Sequence, residues 1–225
     1  MTAPGSSSRA WWIAACRAAG RTALEPLGFT QPTATDIRTR RAFAHGFRDE
    51  LGNRRPADRA FLSALLGVEP APDEADPTPE AWLWRALTPG APAIDPFERL
   101  APGDGPLLPG EHGGAIEVWT ESELAALHAL DRLSERTGVG AWRARVASAA
   151  AWHVAEIQPD NATNRPWAIQ VFVRLGLGLE GDSAALLHAQ TMLHNCRVAL
   201  GHADVLSACI LEDAARALEG ETGLP

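Results

Sequence analysis

The distribution of proline divides this chain into two kinds of sequence. Ten of the 17 prolines lie within residues 69–110. Because proline lacks a backbone N–H and disrupts helices and central strands, this stretch cannot form a long regular element. It predicts an extended segment with one short helix at PEAWLWRAL, where Pro79 and Glu80 suit a first helical turn. Apolar residues such as Trp84 and Phe97 indicate that the segment packs onto the rest of the chain.

The sequence after residue 118 has the punctuation of successive helices. Thr120–Glu123 predicts a capping box, opening a helix that ends before Gly138. Asp182 and Asp204 are expected to cap later helices, and a strand pattern is confined to the short sequence AIEVW. The predicted helices span about 120–136, 141–157, 166–177, 183–200 and 205–219. In the fourth of these, one apolar stripe is expected to run from Ala185 to Leu200.

The N-terminal part also has helical spacing. Three helices are expected there, ending at Gly20, at Gly52 and at Gly67. The predicted fold class is therefore all-α: an irregular helical bundle or a short array of antiparallel helical hairpins, with the proline-rich segment packed on it. The expected organisation is a basic helical segment (1–68), a proline-rich acidic segment (69–118) and a helical-hairpin core (119–220), together forming one compact unit.

The absence of lysine and tyrosine narrows the possible chemistry. All 20 basic residues are arginine, which excludes a Schiff-base lysine, a P-loop lysine and a tyrosine nucleophile. The three cysteines, Cys16, Cys196 and Cys209, show no CxxC spacing. They predict buried, reduced thiols in a cytoplasmic protein. The apolar run before Cys16 is short for a signal peptide, and no run approaches the length of a membrane span.

Arginine is concentrated near the N-terminus. Residues 1–68 carry ten arginines against five acidic residues, whereas residues 69–115 carry two against nine. A basic helix can bind nucleic acid, but here acidic residues such as Asp49 and Asp58 interleave the arginines. The acidic sequence EPAPDEADPTPE, residues 69–80, is an obvious intramolecular partner. Nucleic-acid binding is therefore unlikely, and a solvated or self-paired surface is favoured.

Two histidine patterns bear on catalysis. His153 and Glu156 are three residues apart on a predicted helix, so they lie side by side. They are either a weak catalytic candidate or, as the apolar surroundings favour, a core histidine with structural partners. His194 and Cys196 point in different directions on one helix and do not form a dyad. The sequence predicts no metal site and indicates no particular cofactor.

The strongest candidate site lies at the connections between helices. In antiparallel hairpins, the connection before residue 168 and the one at 201–204 lie at the same end. Their polar residues are expected to face one pocket or partner surface. The predicted ligand-binding residues are Asp160, Asn161, Asn164, Arg165 and Trp167, with His202 as a further weak catalytic candidate and Asp204 beside it.

The stretch QPDNATNRPWA, residues 158–168, has both a structural and a functional interpretation. Pro159 ends one helix and Pro166 suits the first position of the next, with Arg165 in the capping position. Arg165 beside a helix N-terminus would attract an anionic small molecule. Trp167 in the first turn could stack on a planar ligand.

Residues of about 150–218, including PDNATNRPWA, TMLHNC and LSACILEDAARAL, resemble a set of uncharacterised bacterial all-α proteins. That resemblance implies helical hairpins and carries no activity. The sequence favours a non-enzymatic helical module that binds a protein partner or forms a homo-oligomer, with tryptophans and the proline-rich segment as anchors. The alternative is a small-molecule-binding protein or enzyme with a pocket at the 158–167 and 201–204 connections.

Overall fold

The fold is all-α, as the sequence predicts. A computed structural model describes residues 8–28, 36–72, 77–109, 115–157, 164–178 and 182–220, and these residues form nine α-helices and no strand. None of these helices is both long and apolar enough to cross a membrane. The helices are α1 Arg9–Leu24, α2 Ile37–Gly46, α3 Pro56–Leu65, α4 Pro79–Ala86, α5 Ile116–Thr137, α6 Gly140–Glu156, α7 Ile169–Gly176, α8 Ser183–Val198 and α9 Val205–Glu219.

The first and last helices pack along each other, which joins the two ends of the described chain. Gly20 was expected to end α1, but the helix continues to Leu24. A Cβ atom at Gly20 would lie 3.2 Å from the backbone Cα of Ala208 in α9. The glycine therefore permits close approach of two helices and does not end one.

The predicted capping box at Thr120–Glu123 is wrong, and AIEVW, the one candidate for a strand, is helical. Helix α5 begins at Ile116, so AIEVW forms its first turns, and Thr120 and Glu123 lie buried inside it. The Glu123 carboxylate instead accepts hydrogen bonds from the backbone N–H groups of Leu107 and Leu108, both at 2.6 Å. A long-range partner has replaced the local one.

Two buried polar side chains hold the proline-rich segment against the helices. Glu123 binds its amides, and Arg145 of α6 donates to the carbonyl oxygens of Gly105 and Pro106 at 2.8 and 2.7 Å. Leu100, Leu107 and Leu108 of this segment are buried. The packing expected for the proline-rich segment is confirmed, and its irregular backbone is satisfied by side chains.

Three predicted helix bounds differ from the structure. Helix α2 ends at Gly46, because the Asp49 carboxylate accepts from the N–H groups of Leu51 and Asn53 and turns the chain. Helix α7 begins at Ile169, after Ala168 with φ 59°, so Arg165 does not occupy its capping position. Leu200 lies beyond α8 and is 52% exposed, so the buried stripe of that helix does not reach it.

Other helix signals are confirmed. Asp182 caps α8, with its Oδ1 accepting from Ala184 N at 2.8 Å, and Asp204 caps α9 through Ser207 N at 3.0 Å. Gly138 and Gly220 end α5 and α9 in the left-handed conformation. These signals are local in sequence, and the cap at Asp204 fixes one wall of the site described below.

Replacing Glu123 with alanine is expected to destabilise the fold by roughly 2–5 kcal/mol, because two buried backbone N–H groups lose their acceptor. Chemical denaturation measures this loss, and trypsin cleavage after Arg99 should become faster as the segment loosens. The control is Glu117→Ala, at an exposed glutamate of the same helix. Equal stabilities for the two variants would show that Glu123 does not hold the segment.

Candidate functional site

Arg165 is the centre of a buried ionic cluster. Its residue exposure is 7%, and its guanidinium lies between four carboxylates. Nε is 3.0 Å from Glu121, Nη2 is 3.4 Å from Glu50 and 3.6 Å from Asp49, and Nη1 is 3.6 Å from Asp204. Burial would lower the pKa of this guanidinium, but the surrounding carboxylates raise it. Arg165 therefore stays charged and is already surrounded by counter-charge.

The cluster joins parts of the chain that are distant in sequence. Asp49 and Glu50 lie in the α2–α3 connection, Glu121 lies in α5, and Asp204 caps α9. The contact between Arg165 and Asp204 brings together the two helix connections that the hairpin topology places at one end. Because four carboxylates surround it, Arg165 is already paired with negative charge, which disfavours the anion that its sequence position suggests.

The charge around Arg165 is not balanced. A second arginine, Arg55, lies 2.6 Å from Glu121, and a fifth carboxylate, Asp58, is 2% exposed. Burial raises the pKa of Asp58 to about 7, and the charges of Glu121 and Asp49 add to the effect, against the opposing influence of Arg165 and Arg55. When Asp58 is ionised, five carboxylates therefore lie around the two guanidinium groups of Arg165 and Arg55.

The other predicted ligand-binding residues fall in different environments. Asn164 is exposed, whereas Trp167 is 1% exposed and packs edge-on against Phe61 with ring centroids 5.0 Å apart. A core position leaves Trp167 no free ring face for a planar ligand. Asp160 and Asn161 lie outside the described residues.

A cleft borders the ionic cluster. Its volume is about 620 Å³, and it lies between α2 and the α8–α9 connection. Its apolar lining includes Phe43 of α2, Phe47 directly after α2, and Leu200, Val205 and Leu206 of the opposite wall.

At one part of this cleft the lining becomes polar. Asp49, Glu50 and Asp204 line it, with Arg48 and His202 also present. His202 is exposed and its Nδ1 lies 2.9 Å from the carbonyl oxygen of Ala203. The predicted 201–204 connection therefore borders a pocket, but residues 164–167 do not line it, and its second wall is α2. Sequence reasoning missed that wall, since nothing in the spacing of α2 identifies its distant partner.

His153 occupies the core and pairs with a carboxylate of another helix. It is 0% exposed, and its Nε2 lies 3.4 Å from Glu123 Oε1. Glu156, the predicted neighbour, is exposed. A second buried histidine, His188, stacks on Phe172 with ring centroids 4.2 Å apart, and burial followed by the charge of His153 lowers its pKa to about 4. His153 is therefore a core residue, although neither of its ring nitrogens has a hydrogen-bond partner among the described residues.

Further buried polar groups serve to join helices. His128 Nε2 lies 3.1 Å from Asp213 of α9, and Arg132 Nε lies 3.3 Å from the same carboxylate. Arg174 of α7 donates to Asp131 of α5 at 2.9 Å. The sequence offers only one signal for this network, which is charged residues on otherwise apolar helix faces.

The described part of the chain contains no site suited to thiol chemistry or to metal binding. All three cysteines are buried, as expected, and burial raises the pKa of each thiol to about 12. Such thiols are protonated and weakly nucleophilic. No group of three or more histidine, cysteine, aspartate or glutamate residues among those described could hold a metal ion.

A second groove, of about 540 Å³, lies beside the half-buried Trp82 in the proline-rich segment. The guanidinium of Arg99 already lies over the Trp82 ring, 5.3 Å from its centroid. The cleft beside the ionic cluster is therefore the better candidate for a ligand-binding site. Comparison with known protein families, with curated proteins and with solved structures found no match to this chain.

Asp58→Asn is expected to gain stability relative to the parent as pH rises. The folded-state pKa of Asp58 is raised, so the folded state holds this proton more tightly than the unfolded chain, and its contribution is lost as pH rises towards about 7. Between about pH 5 and pH 8 the difference should move by roughly 2–3 kcal/mol in favour of the variant.

Urea denaturation at both pH values measures this difference, and Asp104→Asn, at an exposed carboxylate, is the control. A difference that does not change with pH would mean that Asp58 titrates normally in the fold.

Proposed function

We propose that this protein binds a small molecule with an apolar body in the cleft between α2 and the α8–α9 connection. The observation that carries the proposal is the cleft itself, whose volume of about 620 Å³ and mainly apolar lining are those of a small-molecule site. Three of its polar residues, Asp49, Glu50 and Asp204, contact Arg165. Such an arrangement suits a ligand with one apolar part and one polar group.

The tryptophans and the proline-rich segment, which favour protein binding in the sequence, take part in packing within the fold. All eight tryptophans are buried or half-buried, with Trp12, Trp84 and Trp167 the most deeply buried. The leucines of the proline-rich segment pack against the helices. The buried tryptophans and leucines therefore serve the core rather than an interface, and this supports the cleft as the binding surface.

A bulky side chain in the cleft should abolish ligand binding. Ala42 lines the cleft and is exposed, so Ala42→Trp adds volume there without entering the core. The matched control is Ala147→Trp, at an exposed alanine of α6. Saturation-transfer NMR with a library of neutral apolar fragments should find binders to the parent and to A147W, with affinity reduced at least about tenfold in A42W.

The absence of any fragment that distinguishes the two tryptophan variants would contradict a binding cleft. Both variants keep the ionic cluster, so thermal unfolding should be similar for the two. That comparison separates a filled cleft from a damaged fold.

Self-association is a second candidate, and one observation favours it. Leu187 and Val198 of α8 are 60% and 64% exposed. They are eleven residues apart, which places them on one face of the helix, and Leu200 continues the apolar surface to the cleft. Thr191 and His194 lie between Leu187 and Val198 on this face. The apolar contact that this surface offers to a second copy of the chain is therefore confined to Leu187, Val198 and Leu200.

The double variant Leu187→Glu/Val198→Glu tests that candidate. If α8 pairs with its copy, light scattering should show a parent dimer at about 100 μM that becomes monomeric in the variant, because charge on both sides of the interface is unfavourable. Val118→Glu, at an exposed valine of α5, is the control. A parent protein that is monomeric at this concentration excludes the dimer.

A further inference from the structure

We infer that the ligand of this cleft carries a cationic group, held by the carboxylate of Glu50. The inference rests on the proposed function and specifies the chemical class: an organic ammonium or amidinium group on an apolar body. Three carboxylates line the cleft: Asp49, Glu50 and Asp204. The inference is based on how many hydrogen bonds each of them already accepts from the chain.

Asp49 and Asp204 are committed to the backbone around them. Asp49 accepts from Leu51 N, from Asn53 N at 2.7 Å and from Asn53 Nδ2 at 3.0 Å. Asp204 accepts from Ser207 N at 3.0 Å and from Ser207 Oγ at 2.6 Å as the cap of α9. A ligand that bound either carboxylate would compete with the turn or the helix end that it forms.

Glu50 differs from both. Its side chain is 46% exposed, against 1% for Asp49 and 18% for Asp204. Its contact with Arg165 is long, at 3.4 Å. Since a carboxylate has about four acceptor positions on two oxygens, Glu50 can bind a ligand group while keeping this contact.

The sign of the surrounding charge favours a cation. Arg165 is shared among four carboxylates, and Asp58 adds a further negative charge when ionised. Arg48 also lines the cleft and keeps its positive charge while it donates to Gly52 O at 2.8 Å. The carboxylates around Arg165 nevertheless outnumber the arginines. An anion beside Glu50 would meet like charges, whereas a cation has its counter-charge in place.

The apolar wall suits the other part of such a ligand. Phe43 and Phe47 are half-buried, line the cleft and have ring centroids 5.8 Å apart. Aromatic faces provide apolar contact and also attract a nearby cation. An arylalkylamine therefore combines the two features that this cleft presents.

Three probes with one skeleton test the inference: 4-phenylbutylamine, 4-phenylbutanol and 4-phenylbutanoate. They share a phenyl group and an alkyl chain and differ in the end group, which is cationic, neutral or anionic. The amine is protonated at about pH 8. NMR titration of the labelled protein should give an amine affinity about fivefold above that of the alcohol, with the carboxylate weakest. The preference for the amine should decrease with added salt.

Glu50→Gln keeps the shape of the side chain and removes its charge. In this variant the amine and the alcohol should bind equally well, while the affinity of the alcohol stays at its parental value. The control is Glu117→Gln, at an exposed glutamate of α5, which should retain the fivefold preference.

The outcomes separate this inference from the proposed function. If the alcohol binds the cleft and the amine binds no more tightly, the cationic class is wrong and the binding cleft stands. If none of the three probes shifts cleft resonances at millimolar concentration, both the inference and the proposed function fail. A preference for the amine that survives in E50Q overturns the role of Glu50.

Discussion

The buried guanidinium of Arg165 fixes how the two halves of this chain meet. It lies against carboxylates from the α2–α3 connection, from α5 and from the start of α9. A buried charge is costly unless it is paired, so these segments must converge wherever Arg165 is placed. The same convergence sets the connection after α2 opposite the cap of α9 and so defines the mouth of the cleft. Other buried polar groups join helices elsewhere in the core, but the position of the candidate site depends on this one charge.

Local signals in the sequence account for much of the fold. Asp182, Asp204, Gly138 and Gly220 act where the sequence places them, because a cap or a left-handed helix end needs only neighbouring residues. Glu123 shows where such reasoning fails. Its spacing from Thr120 matches a capping box, yet its carboxylate accepts from backbone amides 15 and 16 residues earlier in the chain. Nothing within the four-residue pattern distinguishes these two roles.

The candidate site shows the same limit more sharply. Sequence spacing places Arg165 near Asp204, and the two are in contact. It does not reveal Glu50, which is 115 residues away from Arg165 and supplies the carboxylate with most solvent access. The electrostatic interpretation therefore reverses: an arginine that suggests an anion site in isolation lies within an excess of negative charge. Trp167 shows the same limit. A tryptophan beside a loop can stack on a ligand or pack in the core, and its contact with the distant Phe61 shows that it packs in the core.

Glu50 belongs to both the ionic cluster and the lining of the cleft, so the proposed binding would be linked to stability there. Loss of Asp49 would release a turn, and loss of Asp204 would uncap α9. Neither carboxylate can therefore be replaced to suit a ligand without a cost to the fold. Glu50 is half-exposed and makes one long contact with Arg165, which keeps three other carboxylates if Glu50 turns towards the cleft. A cation bound there would add counter-charge where carboxylates are in excess, and ligand binding would then relieve repulsion that the folded chain otherwise carries. This follows from the geometry alone: the residue that the fold needs least is the one best placed to recognise a ligand.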